Sequence, residues 1–169
     1  MDLAAISLVL SLVALASSIF FGTWQLRLSR HANSVPVLIG MLQEWRSPEF
    51  AMHRDFVANQ LPEPPVALTS LTEPALTHAR SVAHFFDNLG VLVRHNVIDE
   101  AVVLSYLGRA VLFYWGRLEP FIEVENTSRG GGLLEEGERY QSFFHYLALR
   151  AGNGRATELR KRLALGREA

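Results

Sequence analysis

The sequence predicts an all-α protein with an N-terminal single transmembrane helix followed by a small cytoplasmic helical bundle. First, the stretch from Leu3 to Leu26 contains no charged residue. Second, apolar residues beyond Val35 recur at the three- and four-residue spacing of amphipathic helices. Third, no stretch of useful length alternates apolar and polar residues as a half-buried strand does.

The uncharged stretch predicts a membrane-spanning helix, because about 20 apolar residues cross a hydrocarbon core about 30 Å thick. A cleaved signal peptide is the alternative, with Ala14-Leu15-Ala16 as its cleavage site. The residues before the stretch include no Lys or Arg, and the apolar run continues to Trp24. These features favour a retained helix over a cleaved one.

Charges at the two ends of this helix predict its orientation. Arg27 and Arg30 follow the stretch, whereas Asp2 precedes it. Lys and Arg near the end of a span prefer the cytoplasmic side. We therefore expect a single-pass protein of the cell membrane, with its N-terminus outside and its C-terminal domain in the cytoplasm.

Small residues form one seam along the uncharged helix, and they alternate at spacings of three and four. In lipid, such residues let two helices approach closely. The seam predicts a homodimer through this helix, or packing on a partner's span. Chance is the alternative, since Ala5, Ala16 and Ser17 are also small and lie off the seam. The seam residues are Ala4, Ser7, Ser11, Ala14 and Ser18.

Prolines and capping residues predict the first helices of the body. Pro36 disfavours helical angles at the residue before it, so the first helix should bend or stop near Asn33 and a new one should begin at Ser34. Ser47 and Pro48 open a helix that extends to about Gln60. The proline-rich residues 61–71 should form a surface loop.

The remaining helices follow from the same signals. A helix from Thr72 to about His95 should bury an apolar face, and Asp99 should cap the next helix. Residues 100–118 are apolar around most of their circumference, which is typical of a central helix with Trp115 buried. Pro120 should kink or restart this helix. The last core helix, 133–151, should end at Gly152-Asn153-Gly154.

Composition limits the classes of function. The chain has 169 residues, a net charge of −1 and no cysteine. This charge gives no general attraction for nucleic acid, and the lack of cysteine excludes disulfides and thiol chemistry. We expect three segments, a transmembrane anchor with a juxtamembrane helix (1–32), a helical bundle domain (33–151) and a basic C-terminal tail (152–169).

Polar residues of the 72–95 helix are the candidate partner-binding site. Arg80, His84 and Asp87 lie on the side opposite its apolar face. The alternative is a metal-dependent or hydrolytic enzyme that uses His84 and Asp87, because a His and an Asp three residues apart share a helix face. Further metal ligands would have to come from other helices. The candidates are His53, Asp55, His78 and His145.

No catalytic motif accompanies these residues. The sequence has no Gly-x-Ser-x-Gly elbow, and the Gly130–Gly132 run lacks the Lys-Ser/Thr of a phosphate loop. We therefore expect no catalytic residues, no metal and no cofactor. Arg117 lies within the apolar sector of its helix, and Arg is rarely buried unless paired. Its expected partner is Asp87 or Glu119, and anion binding is the alternative role.

Three motifs carry a resemblance to a known family. The sequence resembles a bacterial family of small membrane-anchored helical proteins that is defined only as a domain of unknown function. The resemblance implies an anchored helical fold and no activity. It leads us to expect a membrane-tethered protein-interaction, scaffold or regulatory module whose partners are the lipid bilayer and an unknown protein. The motifs are residues 45–50 (WRSPEF), 85–90 (FFDNLG) and 115–121 (WGRLEPF), and the uncharged N-terminal stretch and Gly108 add to the resemblance.

Overall fold

The computed structural model describes residues 3–130 and 139–165, with side chains described for 10–25, 35–130 and 139–154. The described chain contains helices and no strand, so the predicted all-α class is confirmed. The helices are α1 (Leu3–Arg46), α2 (Pro48–Asn59), a short 3-10 helix (Leu68–Ser70), α3 (Ala75–Arg94), α4 (Glu100–Arg129) and α5 (Ser142–Leu165).

The chain divides into two compact units. The first covers Met1–Ile39, and its described part is the long N-terminal portion of α1. The second covers Gly40–Ala169 and contains the end of α1 together with the other helices. The three predicted segments, 1–32, 33–151 and 152–169, stay a prediction.

The predicted transmembrane helix over Leu3–Leu26 is wrong as part of the fold. Among the described residues, no helix is long and apolar enough to cross a membrane. Helix α1 is 44 residues long and continues from the uncharged run into Arg27, Arg30 and the polar residues beyond them, so the run does not form a separate helix.

Two prolines lie inside helices, so the stop predicted near Asn33 and the restart predicted at Pro120 do not occur, while the alternatives of a bend and a kink stay predictions. Helix α1 continues through Pro36 to Arg46, and α4 continues through Pro120 to Arg129. A proline removes one backbone hydrogen bond and crowds the preceding turn. In α4, Leu118 and Phe121 are buried on both sides of Pro120, and this packing holds the helix together across the defect.

Two predicted helix starts are confirmed in detail. The Ser47 hydroxyl accepts the N–H of Phe50 at 3.1 Å and so caps α2. The Asp99 carboxylate accepts the N–H of Ala101 at 2.7 Å and so caps α4. Each cap satisfies one of the N–H groups that a helix leaves without an intrahelical partner.

The core is built around the apolar face predicted for α3. Phe86, Leu89 and the other large apolar side chains of this face are buried. The Phe86 ring stacks on Phe144 of α5 at 4.9 Å and lies 5.7 Å from Trp45 at the end of α1. Leu68 of the 3-10 helix is also fully buried, so the predicted surface loop contributes to the core.

Helices α4 and α5 differ from their predicted forms. Helix α4 buries one stripe and exposes another that includes Val102, Tyr106 and Phe113, so it is not a central helix. Helix α4 has more large apolar side chains than fit on the one stripe that faces the core, so some of them are exposed. Helix α5 begins at Ser142 and passes through Gly152 to Leu165 instead of ending near 151. Residues 131–138, which hold the predicted start of the last helix, lie outside the described residues.

Helices α3 and α5 pack most extensively against each other, and Gly90 sets their closest approach. A Cβ atom built on Gly90 would lie 2.2 Å from the carbonyl oxygen of Phe143. Because that oxygen belongs to the backbone of α5, no side-chain rotation can relieve the overlap. Glycine is therefore required at this position for α5 to lie where it does.

We predict that Gly90→Ala lowers the free energy of unfolding by about 1–3 kcal/mol, because the added methyl group forces α3 and α5 apart. The matched control is Gly108→Ala in α4, where an added Cβ meets only the Leu104 Cβ at 3.8 Å. That change should stabilise the protein by up to about 1 kcal/mol through helix propensity. Urea unfolding of both variants provides the measurement, and equal effects would contradict the close approach.

Candidate functional site

The predicted polar face of α3 is present, but its three residues have different surroundings. Arg80 and His84 are exposed, whereas Asp87 is half-buried. The Asp87 Oδ1 atom accepts the backbone N–H groups of Phe143 and Phe144, each at 3.0 Å. Asp87 therefore caps the first turn of α5 from a neighbouring helix, while Arg80 and His84 face outward.

The environment of Asp87 is a compromise between burial and hydrogen bonding. Burial raises the pKa of this carboxyl above its ordinary value. The N–H groups of Phe144 and Phe143, and the nearby His84, act in the opposite direction without cancelling that rise. The capping role of Asp87 rests on the geometry, in which one carboxylate oxygen accepts two N–H groups at the start of α5.

His84 connects the same face to the turn before α5. Its Nε2 atom lies 3.5 Å from the Tyr140 hydroxyl, and the guanidinium of Arg129 lies 4.6 Å above the Tyr140 ring. The backbone N–H of Tyr140 donates to Asn126 Oδ1 at 2.7 Å. His84 therefore belongs to the edge of a polar network that holds residues 140–142 against α4.

Glu125 is the buried centre of that network, although nothing in its sequence pattern indicates such a role. Its Oε2 accepts the Thr69 hydroxyl at 2.6 Å and the Thr69 N–H at 3.0 Å, and its Oε1 accepts Arg129 Nε at 2.6 Å. Burial acts to raise its pKa, but the hydrogen bonds from Thr69 and the charge of Arg129 outweigh it, so the pKa is lowered. A Glu-x-x-x-Arg spacing is common on helix surfaces and did not indicate burial.

The histidines considered as metal ligands do not form a complete site. His53 and His78 come together, with their Nδ1 atoms 2.7 Å apart, and burial followed by the charge of His53 lowers the pKa of His78. His145 instead stacks on Trp115 at 5.1 Å, and Asp55 accepts a bond from Asn59. Across the residues that are described, no three His, Asp or Glu side chains form a group that could hold a metal ion.

Arg117 and Trp115 differ from the predictions made for them. Neither Asp87 nor Glu119 pairs with Arg117; its Nε donates instead to the Val57 carbonyl at 3.4 Å. Trp115 is only partly buried, with its ring edge-on to Phe144 at 5.0 Å. On this part of α4 the core-facing positions are taken by Tyr114 and Leu118, which leaves Trp115 and Arg117 at the edge of the buried stripe.

Residues 10–24 of α1 form an exposed apolar segment. Its eight large apolar side chains are each 58–66% exposed, and no charged residue interrupts them. Such a contiguous apolar surface is characteristic of a site that binds protein or lipid. These side chains are Leu10, Leu12, Val13, Leu15, Ile19, Phe20, Phe21 and Trp24.

The predicted packing seam lies partly on this segment. Ser11, Ala14 and Ser18 are exposed along it. The side chains of Ala4 and Ser7 lie outside the described residues. The homodimer inferred from the seam stays a prediction.

These features define an all-α helical protein with an exposed apolar helix and a body held together by aromatic packing and inter-helix capping. A family model for a domain of unknown function, DUF4760, matches residues 3–139. The chain belongs to this family. No curated protein and no solved structure matches it.

We predict that Glu125 contributes an acid-sensitive part of the stability. A carboxyl with a lowered folded pKa stabilises the protein fully above its unfolded value of 4.5, and this stability is lost as the pH falls through the folded pKa. Glu125→Gln should therefore lose less stability than the wild type between neutral and acidic pH.

Chemical unfolding at a series of pH values provides the measurement. Glu123→Gln is the control, because it removes the same charge from an exposed position of α4. Identical pH profiles for wild type and Glu125→Gln would show that the buried hydrogen bonds do not hold the ionised form.

Proposed function

We propose that the protein is a protein-interaction module with a scaffold or regulatory role that binds lipid through α1. The observation that carries the proposal is the exposed apolar segment of α1. Full burial of each large apolar side chain is worth about 1.5–3 kcal/mol, so the segment has a strong drive to leave water. The proposed attachment concerns binding to lipid and does not depend on a helix that crosses a bilayer.

The distribution of side chains around the helix favours lipid over one partner helix. At 100° per residue, Leu15 and Ile19 lie on one side of α1, while Phe20 and Trp24 lie well round toward the other. A neighbouring helix covers one stripe of such a surface. Lipid chains can contact the whole circumference, so they are the occupant that matches it best.

The body would supply contacts to a protein partner. Arg80 and His84 are exposed on α3, and no ion pair involves Arg80 among the described residues. An exposed guanidinium offers charge-assisted hydrogen bonds to an acidic partner. The enzyme alternative with His84 and Asp87 has weaker support, because Asp87 Oδ1 already accepts two backbone N–H groups.

The proposal also includes a bacterial origin and attachment to the cell membrane. Both are what the motifs at 45–50, 85–90 and 115–121 led us to expect. The lack of charge between residues 10 and 24 supports lipid attachment, and the polar α3 face supports a partner-binding body.

We predict that the full-length protein co-floats with phosphatidylcholine–phosphatidylglycerol vesicles in a density gradient. Leu15→Glu and Phe20→Glu should each lower the bound fraction about tenfold or more, because each removes an apolar side chain and introduces a charge. Val102→Glu is the control, since it changes an exposed apolar residue in the body.

Two outcomes would contradict lipid attachment. One is a wild-type protein that stays at the bottom of the gradient. The other is that the protein forms a concentration-dependent oligomer without lipid, that this oligomer does not float with vesicles, and that Leu15→Glu disrupts it. The second result would support self-association through α1 instead.

A further inference from the structure

A half-open cavity of about 220 Å³ lies between the loop after α2 and the middle of α4. Pro62, Pro64 and Pro65 of the loop form one wall, while Pro120 and Phe121 of α4 form the other. These rings give the cavity a rigid apolar surface. An empty cavity of 150 Å³ is large enough for benzene, so this one can hold a ligand of about six to ten heavy atoms.

A single guanidinium supplies the positive charge of this cavity. Arg117 lines it, and the hydrogen bond from Nε to the Val57 carbonyl is long, at 3.4 Å. Within the described part of the chain, no carboxylate forms an ion pair with Arg117, although Glu63 also lines the cavity. The Nη atoms of Arg117 therefore have no acidic partner there, and a guanidinium is suited to bind a carboxylate through two parallel hydrogen bonds.

The wall beside Arg117 has room for a ligand. A Cβ atom built on Gly116 meets nothing within 4 Å, and Gly116 lines the cavity. Pro120 has no N–H, so it cannot donate the usual helical bond to the Gly116 carbonyl. The cavity thus combines a guanidinium donor with apolar walls and open space at Gly116.

We propose that this cavity binds a small monocarboxylate with an apolar body, whose carboxylate pairs with Arg117 and whose hydrocarbon part packs on the prolines and Phe121. A monoanion fits better than a dianionic phosphate, because Glu63 adds negative charge and the walls offer few other donors. The carboxylate belongs either to a free organic acid or to the C-terminus of a peptide. The binding does not depend on the lipid attachment proposed above.

Hexanoate is the first probe, and hexan-1-ol is its uncharged counterpart. Titrations of the full-length protein are followed by chemical shifts of the Gly116 and Phe121 amides. A ligand of this size is expected to bind with a dissociation constant of about 0.1–1 mM. Hexanol should bind at least tenfold more weakly, because it cannot pair with the guanidinium.

Two variants test the assignment in different ways. Arg117→Gln removes the charge, and Gly116→Leu fills the open wall; each should weaken hexanoate binding at least tenfold. Arg109→Gln is the control, because it removes an exposed arginine of α4 that does not line the cavity. Thermal melts of each variant show that it is folded, and a failure of one variant to fold leaves the other as the test.

The source of the carboxylate is distinguished by a second pair of probes. A tetrapeptide ending in leucine with a free C-terminus should bind more tightly than hexanoate if the ligand is a peptide end, and its C-terminal amide should not bind. Tighter binding of hexanoate indicates a free acid. The proposal is overturned if neither hexanoate nor the free peptide shifts these amides, or if Arg117→Gln and Gly116→Leu bind hexanoate as the wild type does.

Discussion

The start of α5 is held against α3 by one carboxylate, Asp87, and by one glycine, Gly90. Asp87 accepts the N–H groups of Phe143 and Phe144, and Gly90, one turn later, lets the backbone of Phe143 lie against α3. The carboxylate fixes where α5 begins, and the glycine fixes how closely α5 approaches α3. The Phe86–Phe144 stack and the contact of Trp115 with Phe144 depend on the position that results.

A second polar anchor fixes the other side of the same turn. Asn126 Oδ1 accepts the Tyr140 N–H, and Glu125 ties α4 to Thr69. Buried polar groups are costly when unpaired, so such a network is sensitive to the loss of any one member. The turn before α5 and the first residues of α5 are therefore held by hydrogen bonds from α4 and α3.

Local sequence signals predicted the helices well where one residue controls the outcome. Ser47 and Asp99 cap the helices expected of them, and the buried face of α3 follows its periodicity. The helix ends predicted at Pro36 and Pro120, as alternatives to a bend or a kink, were wrong, because the energy lost at one hydrogen bond was weighed without the packing of the whole helix. The transmembrane prediction rested on the length of the uncharged run, and no described helix is long and apolar enough to cross a membrane.

The candidate site was harder to predict, because its chemistry depends on contacts between distant residues. Arg80, His84 and Asp87 share a face as expected, yet the partners of Asp87 lie more than 50 positions away along the chain. The same holds for Thr69 and Glu125. A single sequence gives no indication of such pairs, so the division of the face into a capping Asp87 and an outward Arg80 and His84 could come only from the structure.

Amide hydrogen exchange at the start of α5 tests the capping role of Asp87 most directly. The N–H groups of Phe143 and Phe144 have no intrahelical acceptor, whereas that of His145 donates to the Gln141 carbonyl at 3.1 Å. In Asp87→Ala, exchange at Phe143 and Phe144 should accelerate about tenfold or more relative to His145, and His84→Ala should leave this ratio unchanged. Unchanged protection of both amides in Asp87→Ala would contradict the account.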